Sequence, residues 1–323
     1  MGLWSSPEAF PRIVTLTLNP AVDLACTAPA VRPTHKIRTF DERFDPGGGG
    51  INVARVIHSL GGHALALVMT GGVTGRLIEE LLDEAGISWR ALPIRGRTRI
   101  SVNVLDRQSG LEYRFVPMGP RLQQSEWQGT LGALREVEAD WIVASGSLPP
   151  GVPEDFYREA CSIAKQRGQK FVLDTSGAGL RAVVGHDLDL LKLSLGELEF
   201  LSGRELRDAP SQEREVAALI RAGTARTIAV SLGREGAMLA TIDGIERLPA
   251  LEVAEHSAVG AGDAFLAGLV LALAKGLSER EALALGIAAG AAAVATYGTA
   301  QVRPCDIEAY YRQICHEQPH KAD

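Results

Sequence analysis

Short apolar runs of strand length alternate along this chain with segments whose apolar residues recur every three or four positions. IVTLTL (13–18), ALALVM (64–69), WIVAS (141–145), KFVLDT (170–175), DLLKL (189–193) and RTIAVSLG (226–233) read as strands. INVARVIHSLGG (51–62) and GRLIEELLDEAG (75–86) have helical spacing and end on glycine, and a further helix is predicted over about 153–167. This alternation predicts an α/β fold: a doubly wound, mostly parallel sheet flanked by helices. Two regions, 22–45 and 98–116, show polar alternation instead. RISVNVLDRQSGLEYRFV reads as two strands turning around Arg107–Gly110. Such a β element on an α/β body suits a lid or a dimer clasp; an edge hairpin is the plainer alternative. No repeat, linker or boundary interrupts the pattern, so 1–323 reads as one domain with loose ends at 1–11 and 317–323.

Composition narrows the function classes. A 323-residue chain with 46% hydrophobic and 22% charged residues is ordinary for a globular protein with a large core. A net charge of −6 with scattered lysines and arginines leaves no electrostatic footprint for nucleic acid. Cys26, Cys161, Cys305 and Cys315 lie far apart without a CxxC pair, which suggests reduced thiols and a cytoplasmic protein. The N-terminus lacks the basic-then-apolar order of a signal peptide. The best apolar run, 282–296, is too short and Ala/Gly-rich to span a bilayer and reads as a buried helix, so no membrane partner is expected.

Two glycine clusters hold the candidate chemistry. Gly47 to Gly50 lead into a helix start, where backbone amides can approach an anion or hydroxyl closely, and Asn52 in the first turn can donate and accept. A flexible loop is the plainer reading. In AVGAGDAFLAG (258–268) the dinucleotide pattern G-x-G-x-x-G fails because Phe265 stands at its third glycine, and the Walker pattern occurs nowhere. What remains is a helix start whose amides can hold a transferring phosphoryl group, beside Asp263. Asp263 either accepts a proton from an attacking hydroxyl or merely caps the helix. Asp23 follows the first strand, where open α/β sheets bind ligands, or lies in a surface turn. VSLGREGAML (230–239) is a strand, a glycine turn and a strand, a weak signal alone. No G-x-S-x-G elbow or H-E-x-x-H zinc motif occurs, and the histidines, His58 among them, have no ligand spacing.

GGGGINVAR, ASGSLPPG, VSLGREGA and VGAGDAFLAG occur in this order over about 13–311, and on them the chain resembles the ribokinase-like sugar kinases, the phosphofructokinase B family. TLTLNPAVD and SGSLPPG point to the phosphofructokinase branch, and Gly49 replaces the lysine of the GGKG found in many 1-phosphofructokinases and tagatose-6-phosphate kinases. The resemblance implies a ribokinase-like fold with a small β-sheet lid, and ATP- and Mg²⁺-dependent phosphoryl transfer to a sugar phosphate. The first expectation is fructose 6-phosphate to fructose 1,6-bisphosphate. Fructose-1-phosphate or tagatose-6-phosphate kinase is the alternative, and a non-catalytic sugar-phosphate or nucleotide sensor is the reading from another class.

By the same resemblance Asp263 is the catalytic base, with Gly260, Ala261 and Gly262 as the anion hole. Asp23, Gly47, Gly48 and Asn52 hold sugar hydroxyls, and Arg99, Arg114 and Ser147 face the sugar phosphate. Lys36 and Arg38 are lid residues that reach a partner subunit's site in a homodimer. Lys192, Ser194, Ser231, Gly233 and Gly236 line the ATP site, and Glu197 serves the metal. LKLSLGELEF departs from the family's Asn-x-x-Glu motif, with Leu193 for its proline, Ser194 for its asparagine and Gly196 for a common lysine. That departure bears on nucleotide affinity, magnesium use and any allosteric response to ATP. YGTA (297–300) lacks the arginine that often follows GT, so a monovalent-cation (K⁺) loop is expected to differ.

Overall fold

The computed structural model describes residues 11–255, 257, 259–296 and 302–316. The predicted 282–296 helix lies in it, whereas the YGTA loop, Ala258 and most of the predicted loose ends lie outside the described residues. The chain runs β1 (Ile13–Thr17), β2 (Ala21–Ala28), β3 (Phe40–Gly47), α1 (Gly49–Ser59), β4 (Ala64–Thr70), α2 (Gly72–Glu84), β5 (Ser88–Pro93), β6 (Arg99–Asp106) and β7 (Glu112–Phe115). It continues through α3 (Gln124–Glu136), β8 (Trp141–Ser145), α4 (Phe156–Gln166), β9 (Lys170–Asp174), α5 (Gly177–Ala182), β10 (Leu188–Ser194), α6 (Leu195–Ser202), α7 (Ala209–Arg221), β11 (Ala225–Ser231), β12 (Ala237–Ala240) and β13 (Ile245–Leu248). It closes with α8 (Ala261–Ala274), α9 (Glu279–Val294) and α10 (Pro304–His316).

Nine strands form the main sheet in the order β13-β12-β11-β10-β9-β8-β1-β4-β5. All neighbours pair parallel except β12 and β13 at one edge. Its central strands β1 and β8 are buried at every residue, which is why they read as unbroken apolar runs. One face carries α3, α4, α6 and α7 through residues such as Leu134, Tyr157, Leu198 and Val216. The other carries α1, α8, α9 and α10, with Ile57, Leu269, Leu285 and Ile307 in its core. Burial on both faces is the doubly wound architecture that the sequence predicts. α8 is apolar all round because it is enclosed between the sheet, α1 and α9.

The four strands from the two rhythm-breaking regions form a second sheet, β3-β2-β6-β7. The β6–β7 hairpin turns where the alternation predicts it, but the other pairing is not legible: β2 and β6, far apart in the chain, run parallel at its centre. From β1 the main chain first builds outward through β4 and β5, then returns to β8 on the other side of β1. The order of strands reverses between β1 and β8, and a crevice opens there at the strands' carboxyl ends.

Candidate active site

Three parallel strands end in a polar row. Ser145 on β8 is level with Asp174 on β9, and Asp174 is level with Lys192 on β10. Lys192 Nζ lies 3.2 Å from Asp174 Oδ1, and the pair is almost wholly buried. The Ser145 hydroxyl stands 3.4 Å from Asp174 Oδ2 and 3.4 Å from Asp263 Oδ1, so its single hydrogen is offered to two carboxylates at once. Neither Ser145 nor Asp174 is among the sequence-predicted residues. The only signal for Asp174 is an acid closing an apolar strand, and the register that aligns the row cannot be read from the chain.

Asp263 enters this row from α8. Gly260 caps that helix with φ +75°, a left-handed backbone that suits glycine. The Asp263 carboxylate makes no cap hydrogen bond; it accepts from Asn52 Nδ2 at 2.9 Å and from Ser145. The capping alternative is therefore corrected: the acid is held by α1 and β8, not by its own helix. Burial pushes the Asp263 pKa up to about 7, and the neighbouring Asp174 charge adds to the shift against the opposing Asn52, Lys192 and Ser145 contacts. Burial opposes the Lys192 charge, but Asp174, Glu197 and Asp263 outweigh it and hold the ammonium pKa above its ordinary value. A Cβ on Gly262 would lie 3.0 Å from Lys192 Nζ, so the ammonium sits against the amide-rich start of α8.

The second sheet covers this crevice. Asp23, Gly48, Asn52, Arg99, Arg114 and Asp263 line one cavity of about 180 Å³, which Gly260 also borders. Burial pushes the Asp23 pKa up to about 6, with Arg99 and Arg114 pulling it down and Asp45 pushing it further up. Gly47 lies so close to Asp23 that any Cβ there would strike the carboxylate. Gly49 packs equally tightly on the Ser145 hydroxyl. Ser147 lies next door, in a hollow of about 420 Å³ that shares Arg99 with the first cavity.

Arg99 is more occupied than its sequence position suggests. Its guanidinium donates to the carbonyls of Pro20 (3.4 Å), Pro117 (2.7 Å) and Asn19 (2.8 Å). Lys36 and Arg38 lie exposed in the connection from β2 to β3 and line neither cavity, so one chain alone does not bring them to the site.

On the far side of Lys192, Ser194 and Ser231 end adjacent strands at the same level. Gly233 opens a short turn at φ +60°, and Gly236 closes it at φ +100°. Ser194 caps α6: its hydroxyl donates to Glu197 Oε2 at 2.9 Å and accepts the Glu197 backbone N–H at 3.3 Å. This reciprocal box corrects the expectation that the Ser194 hydroxyl is free for a metal-bound water. Among the described residues no three His, Cys, Asp or Glu side chains converge as a metal cage. Asp174 and Glu197, both acting on Lys192, fit the sparser pattern of Mg²⁺, which takes one or two carboxylates and otherwise waters and phosphates.

An open α/β fold with a near-neutral carboxylate at a glycine-started helix, beside a covered cavity holding both acids and arginines, belongs to the class of small-molecule phosphotransferases. Residues 16–305 match the family described as pfkB family carbohydrate kinase. The chain is 43% identical over 306 residues to ATP-dependent 6-phosphofructokinase isozyme 2 of Mycobacterium tuberculosis, covering 94% of this chain and 90% of that one. The structure of phosphofructokinase-2 from Escherichia coli in complex with fructose-6-phosphate superposes with a TM-score of 0.89 at 33% identity, over 94% of this chain and 99% of that one. The same enzyme in complex with potassium gives a TM-score of 0.91 at 34% identity and the same coverage. The chain belongs to the pfkB family of carbohydrate kinases.

Proposed function

We propose that this chain transfers the γ-phosphoryl group of ATP to fructose 6-phosphate, making fructose 1,6-bisphosphate. The observation that carries the reading is Asp263, buried at the start of α8 with its pKa near 7, in one cavity with Asp23 and Arg114. The names of the mycobacterial and Escherichia coli relatives support the sugar.

In this reading Asp263 accepts the proton of the sugar hydroxyl as its oxygen attacks the γ-phosphorus. The bond to the β–γ bridging oxygen breaks, and ADP leaves with those electrons. The amides of Gly260, Ala261 and Gly262 face the charge on the transferring group, and Lys192 adds a fixed positive charge beside them. Asp23 and Asn52 hold sugar hydroxyls against the Gly47–Gly48 backbone, while Arg99, Arg114 and Ser147 serve the phosphate end. Ser194, Ser231, Gly233 and Gly236 form the nucleotide side. Mg²⁺, when bound to the nucleotide, neutralises phosphate charge, with Asp174 and Glu197 as its protein carboxylates. The potassium complex of the relative supports a monovalent cation near 297–300.

The second sheet acts as the lid and as the contact of a homodimer. On the face turned away from the cavity Phe44, Leu24, Val102 and Phe115 stand level across all four strands, and Phe44 and Phe115 are 45% and 58% exposed. In that dimer Lys36 and Arg38 reach toward the partner's cavity.

The test is ADP release measured over a panel of sugar phosphates. Fructose 6-phosphate is expected to give the highest kcat/KM. Preference for fructose 1-phosphate or tagatose 6-phosphate would reassign the sugar, and ATP binding without turnover on any member would point to a sensor.

A further inference from the structure

Asn103 stands in the same cavity with no task in the fold. It lines the space beside Arg114. Its Oδ1 is buried without a hydrogen-bond partner, and its carboxamide pairs with nothing among the described residues. A buried amide left unpaired is costly, and folded chains rarely keep one unless something else completes it.

Its level on the sheet says what completes it. On the cavity face, Asp45, Asp23 and Ser101 stand level across β3, β2 and β6. Two residues further out, Arg43, Ala25, Asn103 and Arg114 stand level across all four strands. The inner level is acidic and nearer the Asp263–Asn52 pair; the outer level is basic. Arg43 is committed to Asp45 at 2.7 Å. Arg114 makes no hydrogen bond or close ion pair among the described residues, and Ala25 offers only a methyl group. The outer level therefore presents one unspent guanidinium beside one unspent amide, a pair that suits the oxygens of an anion.

We propose that Asn103 donates its amide N–H to the phosphate ester of the acceptor sugar, jointly with Arg114, and so sets the preference for a phosphorylated sugar. This rests on the kinase reading above. Asp23 and Ser101 hold the ring one level in, and the amide adds directional donors that a lone guanidinium cannot place.

The experiment is steady-state kinetics of the full-length chain and of Asn103→Ala and Asn103→Asp, with inorganic phosphate as a competitive inhibitor against the sugar. In Asn103→Ala the KM for fructose 6-phosphate is expected to rise roughly 10- to 100-fold, the range for a hydrogen bond to a charged group, with kcat within about twofold. The inhibition constant of inorganic phosphate is expected to rise with it, and Asn103→Asp to lose more on both. Unchanged KM in Asn103→Ala, or a raised KM with an unchanged phosphate inhibition constant, overturns the assignment: the residue then fills space or touches the ring. Equal melting temperatures of wild type and Asn103→Ala show that the variant is folded. If the wild type itself turns over no sugar phosphate, the kinase reading has failed, and that result is distinct from an active wild type with an indifferent Asn103→Ala.

Discussion

A carboxylate buried beside a second carboxylate is expensive to ionise, and Asp263 is in that position. The expense has a use: a base with a pKa near working pH accepts a proton with useful driving force yet is substantially ionised. Asp263→Asn is expected to lower kcat by roughly 10²- to 10⁴-fold with the fold intact; near wild-type turnover at saturating substrates would remove Asp263 from the base role. The acid limb of kcat/KM is expected to fall off below about pH 7, where Asp263 takes up a proton. Stability runs the other way. The folded pKa is raised above the unfolded value, so the favourable contribution is present at low pH and is lost as pH rises through about 7. Asp263→Asn is therefore expected to melt higher than the wild type at pH 8, with the gain shrinking toward pH 4; an equal gain at both pH values would contradict the shifted pKa. At this scale the sequence identified the acid but left cap and base open. Only the contacts to Asn52 and Ser145, from two other elements, separate them.

At the scale of elements, helices and strands with a clean period were legible and those without it were not. β5 reads SWRALP, an edge strand with exposed positions mixed in, and α3 is polar enough to hide its apolar stripe. α6 begins on a capping box that sequence reading took for a metal motif. Ser194→Ala is expected to cost about 1 kcal/mol of stability, the usual value of such a cap, measured by denaturant unfolding. The β3–α1 junction carries a stricter constraint, because Gly47 abuts the Asp23 carboxylate. Gly47→Ala must displace that side chain. Overpacking of this kind costs about 1–3 kcal/mol, so the KM for the sugar phosphate is expected to rise roughly 5- to 150-fold while circular dichroism stays unchanged. Register was the hidden quantity throughout. The Ser145–Asp174–Lys192 row joins three strands whose relative alignment no single segment encodes.

For the whole molecule, the α/β frame followed from alternation alone, whereas the second sheet's assembly from two distant segments did not. The apolar row on its outer face predicts association. Phe115→Asp is expected to shift the mass measured by light scattering from dimer to monomer at micromolar concentration; a wild type already monomeric there would remove the dimer. The chain crosses between the two sheets at the junctions β1–β2, β3–α1, β5–β6 and β7–α3. Arg99 begins β6 at one crossing and binds carbonyls at two others, through Asn19 and Pro20 and through Pro117. One guanidinium thus works as a pivot pin, and the small sheet has the leverage of a plate fixed at one corner. Displacement about a pin grows with distance from it. Asn103 lies four residues along β6, about 13 Å away at ~3.3 Å per residue. The outer level that meets the phosphate therefore travels furthest for a given rotation, while the Asp23 level hardly moves.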